Sequence, residues 1–360
     1  MIDKTMIDKT MNKLKYILTF MLLMLVSSAS VHAAEQEPEE IDVNELIFGH
    51  INDSYEWHIA TLGDLHLNIP LPVIVYSSTG WHVFLSSHLH HGACEGLYIA
   101  SSGDYAGKIV ERNAEGVEVR PLDISITKNV MGLFINSALL VWIILSCARW
   151  YKKHPVDQEA PGGGVGMMES IIMMVYNDVI KACIGPDYRK YAPYLLTAFF
   201  FILLNNLMGL VPVFPGGANI TGNIAVTFVL AMFTFVMINV FGTREYWKEI
   251  FWPDVPLMLK APIPLMPVIE FFGIFTKPIA LLIRLFANIM AGHAVILSLV
   301  AIIFITVKLG PAVNMSMTVA SVAFSIFMSL LELLVAFIQA YVFTMLSAVF
   351  IGMSRVKEEE

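Results

Sequence analysis

LLIRLFANIMAGHAVILSLV, residues 281–300, and SLLELLVAFIQAYVF, residues 329–343, are apolar runs interrupted by ionisable side chains: Arg284 and His293 in the first, Glu332 in the second. A charge at membrane depth is costly and faces a water-filled path or a partner, so this trio marks an ion pathway. The blander alternative has Arg284 snorkelling to a surface while the other two neutralise each other. The parent runs extend from about Pro264 to Val307 and from about Pro311 to Ser354. At 1.5 Å rise per residue such helices reach roughly 60 Å, about twice the hydrocarbon thickness. Ordinary tilt does not absorb a mismatch of that size. The expectation is a long, strongly tilted hairpin packed nearly along the membrane plane against something large.

Outward from the hairpin, 57% hydrophobic and 14% charged residues over 360 positions exclude a water-soluble domain. The fold class is an all-α integral membrane protein with about five crossings. Residues 191–243 contain no Asp, Glu, Lys, Arg or His and fit two spans, Pro193–Val211 and Thr221–Phe241. An earlier span runs from Val130 to Ala148. Between them, Met168, Ile171, Ile172, Val175, Val179 and Cys183 recur at helical spacing, which predicts an amphipathic interfacial helix over Met167–Cys183. A simple packed helix explains the same periodicity. Basic residues at Arg149, Lys152 and Lys153, and again at Arg244, Lys248 and Lys260, mark the cytoplasmic side. That count leaves the N-terminal region outside and the tail, 355–360 with Arg355 and Lys357, in the cytoplasm.

Residues 1–34 have a basic start, a short apolar core over Tyr16–Val26 and small residues before Ala33 and Ala34, the make-up of a cleaved secretory signal peptide. A retained first helix is the rival, although the apolar core is short for a span. Residues 35–127 form an acidic extracytoplasmic region, fifteen Asp or Glu against three Lys or Arg. The alternating pieces Ile69–Tyr76 and Trp81–Leu85, with turns near Gly103 and Gly116, predict some strand there. His88, His90 and His91 lack a Cys or carboxylate at ligand spacing, so no metal is expected. Cys94, Cys147 and Cys183 suggest neither a disulfide framework nor zinc. The charge pattern gives no nucleic-acid footprint. The membrane domain is then 128–354.

If the two long helices fold back at Lys308–Pro311, residues whose numbers share a sum share a depth. Arg284 then faces Gln339, and His293 faces Glu332 nearer the turn. Asn288, four residues beyond Arg284, shares its face, as Gln339 shares that of Glu332 seven residues away. His293 is about half a turn out of phase with Arg284 and lines an access path instead. His has the reference pKa nearest neutrality, and a carboxylate beside it moves that value in either direction depending on burial, so a His/Glu layer can relay protons. An arginine effectively never deprotonates, so Arg284 holds a passing carboxylate ionised. This chain supplies no acid at the depth of Arg284, since Glu332 is about nine residues, roughly 13 Å, away along the axis. The missing carboxylate belongs to a partner subunit.

The run Lys277-Pro278-Ile279-Ala280-Leu281-Leu282-Ile283-Arg284-Leu285-Phe286-Ala287-Asn288-Ile289-Met290-Ala291-Gly292-His293 closely resembles the signature of subunit a of the F-type rotary ATP synthase. Leu204-Asn205-Asn206-Leu207-Met208-Gly209-Leu210-Val211-Pro212 and Glu332–Gln339 followed by Ala340-Tyr341-Val342-Phe343 support the likeness, which covers about Val130–Ser354. The resemblance implies that Arg284 faces a rotating c-subunit ring. It also implies that Asn206, Asn288, His293, Glu332 and Gln339 line or border an outer proton half-channel, while a second half-channel opens to the cytoplasm. Implied partners are the c-ring, the b-subunit peripheral stalk and the remaining subunits, in a bacterial inner membrane. The resemblance implies neither a cofactor nor catalysis by the chain itself, with protons favoured over Na⁺ as the coupling ion. His293 and Glu332 stand exchanged relative to many bacterial members, and Gly209 occupies a position where some carry a carboxylate. The chain has no G-x-x-x-x-G-K-[ST] run, which leaves nucleotide chemistry to partners. A secondary transporter working without a ring is the alternative, but its internal symmetry is not seen. An intramembrane hydrolase lacks a placed nucleophile and an HExxH motif.

Overall fold

The computed structural model describes residues 53–62, 65–91, 93–101, 103–113, 116–154, 161–211, 214–252 and 265–355. All of them belong to the unit Val43–Glu360. The signal-like segment, Lys260 and Lys357 lie outside the described residues.

The N-terminal module is built from short antiparallel strands. These are β1 (Glu56–Leu62), β2 (Leu65–Pro70), β3 (Pro72–Ser77), β4 (Gly80–Leu85), β5 (Leu97–Ile99), β6 (Ile109–Arg112), β7 (Glu118–Val119) and β8 (Leu122–Asp123). They form three sheets, β1-β2, β4-β3-β8 and β5-β6-β7. The alternating piece Ile69–Tyr76 is two strands rather than one. Pro70 and Pro72 have no N–H to donate, and Leu71 between them bonds Ser86 through both backbone groups. On β3 the alternation turns Val73 and Val75 inward, where they meet Tyr55, Leu97 and Ile109. The buried Tyr55 hydroxyl donates to the Asp123 carboxylate and accepts from Ile109 N–H at 3.4 Å. Burial, reinforced by Asp123, holds that phenol far above its ordinary titration range.

Among the described residues, seven helices of eight residues or more follow. They are α1 (Lys128–Lys153), α2 (Gly163–Met174), α3 (Tyr188–Leu210), α4 (Ile224–Val240), α5 (Arg244–Phe251), α6 (Leu265–Ile305) and α7 (Pro311–Met353). α1 outruns the expected Val130–Ala148 because Lys and Arg are good helix formers whose stems tolerate an apolar setting. α2 continues through a widened π segment, Val175–Lys181, and Ala182–Ile184. That rod buries Val175, Val179, Ile180 and Ile184 in a core shared with α3 and α7, and exposes Asn177, Asp178 and Lys181. Among the described residues four helical stretches are long and apolar enough to cross a membrane, or up to five if α4 and α5, bent by 97°, count as one span. The protein is a multi-pass membrane protein.

α6 has 41 residues and α7 has 43, and they fold back on each other. The reversal is made by the 3₁₀ turn Thr306–Leu309 and Gly310, whose φ of +102° favours a residue without Cβ; Pro311 then starts α7 with a preset φ. α7 packs on α3 as well as α6, and α4 packs on α6. At the end of α7, a Cβ on Gly352 would lie 2.1 Å from Cys183 O, so only glycine lets the two backbones cross there. Arg355 locks the crossing through Asp187 and donates to Phe241 O at 3.0 Å.

The module is fastened to the helices at two points. Thr127 does not cap α1 with its side chain; instead Asp53 Oδ1 accepts Asn129 N–H at 3.0 Å and Ser54 O accepts Lys128 N–H at 2.8 Å. These remote groups satisfy N–H donors that every helix start leaves open. Trp57, 2% exposed, packs on Ala218 and Ile220 and meets Phe214 edge-on at 5.2 Å. Gly132 leaves room for this seat, since a Cβ there would come within 2.7 Å of Ala218 Cβ and 3.6 Å of Trp57. Gly132→Val is expected to destabilise the seat by about 1–3 kcal/mol, the usual cost of overpacking. The measurement is thermal unfolding of the purified complex followed by Trp fluorescence; an unshifted transition would place the module elsewhere.

Candidate functional site

Facing α6 and α7 bury a polar seam. His293 Nδ1 lies 2.7 Å from Glu332 Oε1, with side-chain exposures of 18% and 5%. The distance is that of an ion pair, yet the geometry misses hydrogen-bond alignment, so both Glu332 oxygens are buried without a hydrogen-bond donor among the described residues. The ion-pair distance and the missing hydrogen bond describe one contact, close but misdirected. Gly292 makes the approach possible: a Cβ there would stand 2.8 Å from Glu332 Oε1. Gly209 borders the imidazole on the other side, where a Cβ would make ordinary contact with His293 Nε2 at 3.7 Å.

The expected Arg284–Gln339 layer is corrected by the structure. Gln339 Oε1 instead accepts a hydrogen bond from Asn288 Nδ2 at 2.7 Å. Helical side chains lean toward their own N-terminus, so on antiparallel helices Gln339 leans toward the turn and Asn288 leans away from it. They meet one turn short of Arg284. Arg284 itself is exposed on the outer face of α6, beside exposed Ile283, and forms no hydrogen bond or ion pair among the described residues. Asn206, buried on α3, donates to Ala336 O at 3.3 Å and accepts from Thr221 at 2.6 Å, tying α3 to α7 and to the α3–α4 loop.

A cavity of about 610 Å³ reaches the seam, and among the described residues His293, Ile296, Leu297, Ser329 and Glu332 form its α6 and α7 walls. Asn206 is not among the residues that line it. The end of α3 and the loop after it contribute Gly209, Leu210 and Asn219. The His88 metal reading gains nothing: among the described residues no three His, Cys, Asp or Glu side chains are placed to hold an ion. The side chains of His90 and His91 lie outside those described.

The family described as ATP synthase A chain matches residues 130–352. The chain belongs to that family. A second family, described only as a domain of unknown function, matches residues 46–125. Among similar proteins, ATP synthase subunit a of Chlorobium phaeobacteroides is 48% identical over 248 residues, covering 68% of this chain and 69% of its own. The subunit a of Pelodictyon phaeoclathratiforme is 49% identical over 242 residues, 66% of this chain and 67% of its own. That of Myxococcus xanthus is 38% identical over 301 residues, and the match covers 81% of this chain and 89% of the relative.

Sequence reasoning missed Gly292, Thr221 and Asn219. Gly292 is adjacent to His293 and its small size was the available signal; the two loop residues became visible only when the loop folded back under α6 and α7. Exchanging the pair, His293→Glu with Glu332→His, is expected to retain more ATP-driven proton pumping in membrane vesicles than either single substitution. Pumping in the double variant at or below that of the singles would mean the two side chains do not act together.

Proposed function

We infer that the chain is the proton-channel subunit of the ATP synthase stator, and that Arg284 is its contact with a carboxylate carried by a c-subunit ring. The observation that carries this is the exposed guanidinium: a permanent charge on an apolar helix face, without a counter-ion among the described residues. In hydrocarbon such a charge requires an acid from another chain. The alternative, a transporter working without a ring, is not favoured by membership of the family.

Protons enter from the outer side and reach the His293/Glu332 pair through the cavity beside it. A buried carboxylate with a His at 2.7 Å and no directed donor is held in place at an energetic cost, which proton exchange with that cavity accounts for. Asn288 and Gln339, one turn and more further along, orient the path toward the ring. There the proton neutralises a ring carboxylate, which then turns into lipid; Arg284 keeps the returning carboxylate ionised and blocks a direct leak. The released proton leaves through a second half-channel to the cytoplasm. A potential of 100 mV supplies about 2.3 kcal/mol per charge, so several transfers accompany each ATP. Nucleotide chemistry resides on other subunits, and a b-subunit stalk holds the chain against rotation. The long α6–α7 hairpin lies steeply tilted to follow the ring. In this reading residues 1–34 direct export, 35–127 lie outside, 128–354 form the membrane domain in a bacterial inner membrane, and 355–360 are cytoplasmic.

Arg284→Ala is expected to abolish ATP-driven proton pumping while the complex still assembles, measured as fluorescence quenching in inverted vesicles alongside subunit recovery. Undiminished pumping by the assembled variant would remove Arg284 from the mechanism.

A further inference from the structure

The membrane helices form only part of the cavity that holds His293 and Glu332. Beyond Gly216, Gly217 and Asn219 of the α3–α4 loop, the rest of its wall among the described residues comes from the N-terminal module: Ser54, Trp57, His58 and Ile59 line it, together with Lys128 at the start of α1. A second cavity, of about 360 Å³, also runs beneath the module, between Asp53 and Lys108 on one side and Phe286 and Met290 of α6 on the other. Asn219 lines both. It is buried, and it is held by Gly222 N–H at 3.0 Å and by Met290 Sδ at 3.5 Å, so it stands as the partition between them.

We propose that the N-terminal β module is the outer wall of the proton-entry path, so that protons reach His293 and Glu332 by passing between the β1 segment and the membrane helices. The proposal rests on the proton-channel reading above and assigns a role to the module it leaves unexplained. Three features carry it. The module is seated rigidly over the α3–α4 loop by buried Trp57 and by the Asp53 and Ser54 bonds to the start of α1. The strand that follows Trp57 turns polar toward the cavity: His58 Nδ1 bonds Asn68 Oδ1 at 2.7 Å, and Asn68 Nδ2 donates to Glu56 Oε2 at 2.9 Å. Finally, among the described residues the ionisable lining of the cavity is His58, Lys128, His293 and Glu332, so the module places an ionisable side chain in the same cavity as the pair. A soluble module that merely hung from α1 would need none of these contacts.

The test uses the whole complex, with Cys94, Cys147 and Cys183 replaced by Ser and one cysteine introduced at a time. Spheroplasts are treated with a bulky, membrane-impermeant thiol reagent, inverted vesicles are prepared, and ATP-driven pumping is compared with that of untreated samples of the same variant. Ile59→Cys, on the module's cavity side, is expected to lose most of its pumping on labelling. Val83→Cys, 71% exposed on the module, is expected to label without loss. Ser329→Cys, on the α7 wall, reports the cavity itself. Block at Ser329→Cys with labelled but unaffected Ile59→Cys would overturn the wall proposal and leave the proton channel standing. Labelling without block at both positions would overturn both readings.

Discussion

A guanidinium that cannot lose its proton, placed on an apolar helix face, sets the terms for the rest of this chain. Among the described residues no carboxylate meets it: Glu332, one layer nearer the turn, faces inward against His293. The molecule thereby separates two electrostatic tasks on one pair of helices. The permanent charge points outward, and the titratable pair points inward toward a cavity. Half a helical turn between Arg284 and His293 is enough to keep them apart.

That separation depends on how closely α6 and α7 pack. Gly292 lets a carboxylate approach the α6 backbone, and Gly352 lets α7 cross the rod ending at Ile184. The same helix, α7, holds both Glu332 and Gln339 on one face, so the carboxylate beside His293 and the residue bonded to Asn288 share one rail. Asn206 pins that rail to α3 by bonding the Ala336 carbonyl, midway between the two. A side chain that looks like a channel residue in the sequence thus contributes its hydrogen bonds to alignment.

Much of this was legible in the chain. The length and apolarity of the two C-terminal runs announce the hairpin, and a reversal near Gly310 puts His293 opposite Glu332 by simple counting. Counting failed at Arg284 and Gln339, because depth is shared within a few residues and the lean of each side chain decides which neighbour it reaches. The two strands within Ile69–Tyr76 were marked by Pro70 and Pro72, a signal that the alternation of apolar residues masked. No local pattern reveals that Asp53 completes the first turn of a helix 75 residues later or that Trp57 seats on the α3–α4 loop; such contacts exist only once the tertiary fold is formed.

The placement of the N-terminal module follows from the same economy of polar groups. A helix that begins at a membrane surface leaves several N–H donors open, and α1 has no side-chain cap of its own. Borrowing Asp53 and Ser54 satisfies those donors and simultaneously fixes where the following residues run. Trp57 is then drawn into the apolar recess beside Gly132, and His58 and Ile59 fall beside the cavity that α6 and α7 open. The cap, the ring seat and the cavity wall are consecutive residues of one short segment. Moving any one of them would move the others, so a module attached for anchorage alone would still govern what enters beneath it.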